Sequence, residues 1–252
     1  MSCSPAVRKP VLRICLMLLS LMLLQITSVA NAASNQASEE DVECVDRYKQ
    51  KAFQHPLLKN HKIQEMPSEI PNVIEMQKKS SWQTLEARVS TVQCPVGKVP
   101  IRRHEAIVDD RIYPKTGGNM TFTPKHEYAE AYTNAGHKLY GTKATINVWD
   151  PMVEDRENEA SISQIWLTSG DFETNDLNTI EVGWQVCPGL YNDSKPRLFV
   201  YWTGDGYKTS GGYNLQKPGF IQTSNNIVLG GAISPISSFG GTQYEITILV
   251  WK

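Results

Sequence analysis

The chain has 252 residues and a mass of 28.3 kDa, with 25 Lys and Arg against 26 Asp and Glu and 40% hydrophobic residues. A balance this close to neutral excludes a nucleic-acid binder driven by bulk charge, and the apolar content excludes a chain that is disordered throughout. Charge is unevenly placed: residues 1–32 hold three basic residues and no acid, 33–115 hold 13 basic against 12 acidic, and 116–252 hold 9 basic against 14 acidic.

The first segment sets the compartment. Arg8, Lys9 and Arg13 precede eleven residues from Ile14 to Leu24 that are apolar apart from Ser20, and Ala30-Asn31-Ala32 supplies the small residues of a cleavage site. A membrane-spanning helix needs about 18 to 20 apolar residues, so residues 1–32 read as a secretory leader and the mature product is expected to be soluble and extracellular, in apoplast or vacuole. Cys44, Cys94 and Cys187 then remain in an oxidising compartment, an odd number without C-x-x-C spacing, so no zinc site or other metal site is expected. Asn119-Met-Thr121 and Asn192-Asp-Ser194 are glycosylation acceptor sequences, which mark exposed loops.

Residues 41–79 are rich in Lys and Glu and are broken by Pro56, Pro67 and Pro71, which allows short helical pieces only. Met76, Trp82, Leu85 and Val89 fit part of a 3.6-residue face and predict a helical stretch over 75–89. Cys94-Pro95-Val96-Gly97 turns the chain into a short extended run from Val99 to Val108, and 109–135 reads as an exposed linker where the domain boundary is placed.

Beyond the linker the period becomes two. Lys143–Trp149, Thr179–Val186 and Glu245–Trp251 alternate as half-buried strands, and further strands are expected at Ile162–Leu167, Leu198–Trp202 and Ile227–Ile233. Turn signals at Asp150-Pro151, Gly204-Asp205-Gly206, Gly211-Gly212 and Gly240-Gly241 separate some of them. Short strands without helices between them predict an all-β fold, an antiparallel β-sandwich. The last strand ends at Trp251-Lys252 with no partner after it, so the sandwich is expected to be incomplete: either the chain associates with something else or it is a truncated copy of a longer protein.

The motifs of most enzyme classes are missing: there is no H-E-x-x-H, G-x-S-x-G, phosphate loop or dinucleotide fingerprint, and no cofactor is expected. What the strand-rich half offers is acid chemistry. On Thr179–Val186 the apolar Ile180, Val182, Trp184 and Val186 share one face, which puts Thr179, Glu181, Gly183 and Gln185 on the other. Glu181 and Gln185 point the same way, about 13 Å apart, with Gly183 leaving room between them for a substrate backbone. Periodicity alone reads this as a solvated polar face.

Several blocks carry a resemblance. Cys44-Val-Asp-Arg-Tyr-Lys-Gln, Cys94-Pro-Val-Gly-Lys-Val-Pro-Ile-Arg-Arg103, Ala144-Thr-Ile-Asn-Val-Trp, Ser163-Gln-Ile-Trp, Thr179-Ile-Glu-Val-Gly-Trp-Gln-Val186, Tyr201-Trp-Thr-Gly-Asp-Gly-Tyr and Leu249-Val-Trp-Lys252 stand in the order found in the neprosin family of plant proteins, which the chain resembles over nearly all of its mature length. The resemblance implies a signal peptide, a small mixed activation-peptide region over residues 41–115, and over 125–252 the N-terminal part of a β-sandwich peptidase domain. It also implies glutamic endopeptidase activity next to proline, with Glu181 the first of two catalytic glutamates and proline-containing peptides or proteins as the partner. In the family the second glutamate lies beyond the Leu-Val-Trp-Lys block, so no residue here corresponds to it, and this chain is expected to be inactive by itself. Cys44 and Cys94 sit at family-like places for a disulfide, which leaves Cys187 over. Gly212 and Lys217 replace a cysteine pair that many members carry. The alternative reading is a noncatalytic extracellular module in which Trp149, Trp166, Trp184, Trp202 or Trp251 present flat faces to cell-wall carbohydrate or proline-rich peptide. Neither nucleic acid nor membrane is an expected partner.

Overall fold

The structure, a computed structural model, describes residues 41–65, 84–103, 127–133, 139–171, 173–174 and 176–251. Residues 1–32, Asn119 and most of the expected linker lie outside them.

Alternation in the second half becomes strand almost where the side chains demand it: β5 (Gly141–Asn147), β6 (Ser161–Ser169), β7 (Asn178–Val186), β8 (Arg197–Thr203) and β11 (Gln243–Trp251). The first half adds β1 (Val42–Asp46), β2 (Thr84–Glu86), β3 (Arg88–Val89) and β4 (Lys98–Arg102), and two short strands complete the set, β9 (Gly212–Tyr213) and β10 (Ile233–Ser234). The fold is all-β. Its larger sheets are β6-β7-β8-β9, antiparallel throughout, and β2-β11-β5, in which β2 runs parallel to β11.

These two sheets share a core. Ile146, Val148, Ile246 and Ile248 from one side meet Trp184, Val186 and Leu198 from the other, with Ala87 and Ile233 filling the margin. The Trp184 indole N–H donates to the Asn147 carbonyl at 2.8 Å, so the largest side chain in the contact has its one polar atom satisfied. On the outer face of β5 and β11, Thr145 faces Thr247 with hydroxyls 3.0 Å apart, the polar half of the alternation.

Two local expectations are corrected. The described end of the expected helix is extended: Thr84–Glu86 pairs with β11, Arg88–Val89 pairs with β10, and the Ala87 N–H donates to the Glu245 carbonyl at 2.8 Å. Tertiary partners outweigh a helical spacing of apolar residues in a stretch this short. The expected strand at Ile227–Ile233 is reduced to Ile233–Ser234, because Gly230 turns at a positive φ of 76° and its N–H donates to the Leu198 carbonyl. No helix among the described residues is long and apolar enough to cross a membrane.

The first half is woven into the second, and Asp41–Lys252 form one compact unit. β1 and β4 pair antiparallel, and the Cys44–Cys94 disulfide, with Cα atoms 5.6 Å apart, ties β1 to the turn that leads into β4. Single turns of 3-10 helix span 47–58, where the His55 ring nitrogen accepts from the Leu57 N–H. Gln50, almost fully buried, then imitates a strand partner: its Oε1 accepts from the Gln222 N–H and its Nε2 donates to the Gln222 carbonyl, both at 2.9 Å.

Candidate active site

Glu181 sits near the middle of β7, an inner strand, opposite Trp166 of β6 and Tyr201 of β8. Directly paired residues share a face, so Thr179, Glu181, Gly183 and Gln185 lie with Gln164, Trp166, Phe199 and Tyr201. The grouping of the four β7 residues on one side is as the alternation requires. Its solvation is not. Glu181 and Gln185 are 0% exposed, whereas Ile180 on the apolar side is 45% exposed. The polar face is closed by aromatic residues: Phe199, Tyr201 and Tyr213 pack with Tyr191 and Leu190 of the helical turn α1 (Pro188–Tyr191), and Tyr207 joins them.

A buried carboxyl demands hydrogen bonds, and three described groups donate to Glu181. Tyr207 OH reaches Oε1 at 2.7 Å, Thr179 Oγ1 reaches the same oxygen at 3.0 Å, and Gln164 Nε2 reaches Oε2 at 3.2 Å. The Tyr207 hydroxyl is pushed well above the usual phenol range, first by burial and then by the negative charge of Glu181. It therefore stays a proton donor across the ordinary pH range.

Tyr207 is delivered by a tight loop with its own anchor. Asp205 accepts from the backbone N–H groups of Lys208, Thr209 and Ser210 and from the Thr209 hydroxyl. Although burial pushes the Asp205 carboxyl up, these donors outweigh it and hold the group well below the usual carboxylate range. Gly206 and Tyr207 both take positive φ, 63° each, which the anchored loop imposes on the tyrosine.

The remaining predicted residues fall as follows. Gln185 turns its amide to Tyr191, donating to the hydroxyl at 3.2 Å, and does not bond Glu181 in that arrangement. Gly183 is a point of close strand approach: a Cβ there would lie 2.6 Å from the Cα of Gln164 and would strike the Ser163 carbonyl. The room above it is taken by β6 itself. Arg197, opposite Gln185 and 4% exposed, pairs with Asp193 at 2.5 Å, donates to the Gly230 carbonyl at 2.6 Å, and lies over the Tyr191 ring at 5.3 Å. Arg102 of β4 approaches the same ring at 5.6 Å and the same carbonyl at 3.0 Å. Cys187 is free and buried, and burial pushes its thiol up, away from nucleophilic use. Asn192 is exposed at the end of α1. Gly212 and Lys217 are neighbours in space, packed so closely that a Cβ on Gly212 would overlap the Lys217 side chain.

Sequence reasoning missed Gln164, Thr179 and Tyr207 as partners of Glu181. Thr179 was readable as the residue two before it on the same face, but the other two arrive through strand register and loop path. Tyr128 is also near: its hydroxyl is pushed up by burial, then by the charges of Glu130 and Glu181. Among the described residues no three His, Cys, Asp or Glu side chains group as a metal site would. The three donors to Glu181 are an amide, an alcohol and a phenol. Among the described residues, the groups that donate to the Glu181 carboxyl are thus neutral.

Two family models match the chain. One, described as Neprosin, covers residues 157–252, and a second, described as Neprosin activation peptide, covers 36–143.

Proposed function

Because the chain belongs to the neprosin family, we propose that it is a secreted protein of glutamic endopeptidase type that engages peptides next to proline, with Glu181 as the proton acceptor. Residues 41–115 serve as its activation peptide in this reading, and Asn119 and Asn192 as sites of glycosylation on export. The observation that carries the reading is the enclosed Glu181 carboxyl with donors from Gln164, Thr179 and Tyr207 on one sheet face.

Amide hydrolysis needs a base for the attacking water and an acid for the leaving nitrogen. Water adds to the carbonyl carbon as Glu181 takes its proton; the C–N bond then breaks as the nitrogen receives a proton, giving an acid and an amine. Catalytic groups that act as a unit lose most of their rate when one is removed. In this reading the chain by itself binds peptide without cutting it; the described donors to Glu181, from Gln164, Thr179 and Tyr207, are neutral groups.

The noncatalytic carbohydrate or proline-rich peptide module would need flat aromatic faces in solvent. Trp184 is buried and Trp149, Trp166 and Trp202 are half-buried, and among the described tryptophans Trp251 alone is exposed. These positions favour packing over a sugar platform.

The test uses the full chain at acid pH with a peptide carrying one internal proline and its alanine twin. Tryptophan fluorescence reads binding and mass spectrometry reads cleavage. We expect the proline peptide to bind about tenfold tighter and to stay intact. Cleavage lost in Glu181→Gln would overturn the expected inactivity, and equal or absent binding of the two peptides would overturn the peptidase-type reading.

A further inference from the structure

We propose that Gln164 and Trp166, on the end strand β6, position an extended peptide beside Glu181: the Trp166 indole N–H donates to a peptide carbonyl, and the Gln164 side-chain oxygen accepts from a peptide N–H. This rests on the peptide-directed reading above and names the residues that hold the backbone.

The argument begins with unmet hydrogen bonds. Gln164 Oε1 and Trp166 Nε1 are both shielded from water and have no hydrogen-bond partner in the structure. Such atoms are rare in folded proteins, and each one calls for a cause. Gln164 cannot relieve its own by rotating the amide. Its Nε2 donates to Glu181 Oε2 at 3.2 Å, and a half-turn would set the amide oxygen against a carboxylate oxygen, two acceptors facing one another. Glu181 thus decides which end of Gln164 is left over.

Position separates this pair from other unmet atoms. Trp202 Nε1 also lacks a partner, but Gly219 is packed so tightly on the Trp202 ring that even a methyl group there would overlap it. Gln185 Oε1 is unmet at the closed end of the same face, on a side chain that is 0% exposed. Gln164 and Trp166 are instead half-buried, on a strand that ends the sheet order β6-β7-β8-β9. They pair with Gly183 and Glu181 respectively, so both stand on the Glu181 face.

Their spacing fits a peptide. Residues two apart on a strand repeat about every 6.8 Å on one face, and an extended ligand repeats the backbone groups of one side at the same interval. A ligand lying along β6 meets a donor at Trp166 and an acceptor at Gln164 in register. One peptide N–H is then required at the Gln164 position, so proline, which lacks it, is excluded there and admitted at the neighbours.

The test is a cycle between ligand backbone and side chain, on the full chain. Single N-methyl groups are scanned along the proline peptide and binding is measured with wild type, Gln164→Ala and Gln164→Met. One N-methyl position is expected to cost about tenfold with wild type and almost nothing with either variant, while Trp166→Phe weakens the unmodified peptide about fivefold. Circular dichroism and the unfolding midpoint show whether a variant keeps its fold, and the methionine variant keeps the side-chain length. A penalty of equal size in wild type and both variants, or no sensitive position, would overturn the proposal while a preference for the proline peptide kept the broader reading. Absence of any peptide binding would overturn both.

Discussion

The two faces of β7 are built from the same nine residues and are closed by different physics. On one, Val182, Trp184 and Val186 turn toward the sandwich, where Trp184 and Val186 bury hydrocarbon against Val148 and Ile246. On the other, Thr179, Glu181 and Gln185 are at least as deeply enclosed, and there Glu181 is held by hydrogen bonds while Gln185 Oε1 goes without one. The first face is non-directional and tolerates hydrophobes of similar volume. The second is directional, and removing one member strands its partners. Period-two alternation separates the faces without saying that either is wet.

Substitutions can break this comparison, and the apolar face should give the largest effect. Trp184→Ala removes the biggest shared core side chain and the bond to Asn147, and should cost about 4 kcal/mol in urea unfolding. A loss below about 1 kcal/mol would mean the sheets are held elsewhere.

On the polar side, Arg197→Ala should cost about 3 kcal/mol, because Asp193 and the Gly230 carbonyl lose a buried cation. Burial pushes the Asp193 carboxyl up, but hydrogen bonding and charge from Arg197 outweigh it, and the net shift is below the ordinary 3.8. A carboxyl lowered in the folded state adds stability that is present above its unfolded value and lost as pH falls through its folded value. Stability measured on acidification should therefore fall more steeply in wild type than in Arg197→Ala; parallel curves would refute the coupling.

Tyr207→Phe should cost least, about 2 kcal/mol for a hydrogen bond to a charged group. Its alkaline signature sharpens the contrast. The hydroxyl is raised above its ordinary value of 10.0 by burial and by Glu181, so the folded state keeps the proton that the unfolded state releases. That contribution is complete below 10.0 and is lost as pH rises through the folded value. Urea midpoints taken from about pH 8 to 11 should fall faster in wild type than in the phenylalanine variant.

Strand existence was legible because side-chain alternation is local. Ala144, Ile146 and Val148 face one way whatever lies across from them, and β5, β7 and β11 follow. The shared side of Thr179, Glu181, Gly183 and Gln185 was legible in the same alternation. The surroundings of Glu181 were not. Gln164 reaches it through strand pairing with β7, and Tyr207 reaches it because Asp205 folds a loop back over the sheet. The stretch from 84 to 89 shows the same limit from the other side, since its apolar spacing suited a helix until β10 and β11 offered edges to pair with.

The amino-acid order by itself determined which residues of each strand share a side, because that follows from the backbone's two-residue repeat. Only the tertiary structure decided that the polar side of β7 would be sealed, and by which donors. Enclosure depends on what distant segments bring to a surface, and hydrogen bonds between residues 17 and 26 positions apart leave no periodic trace in sequence.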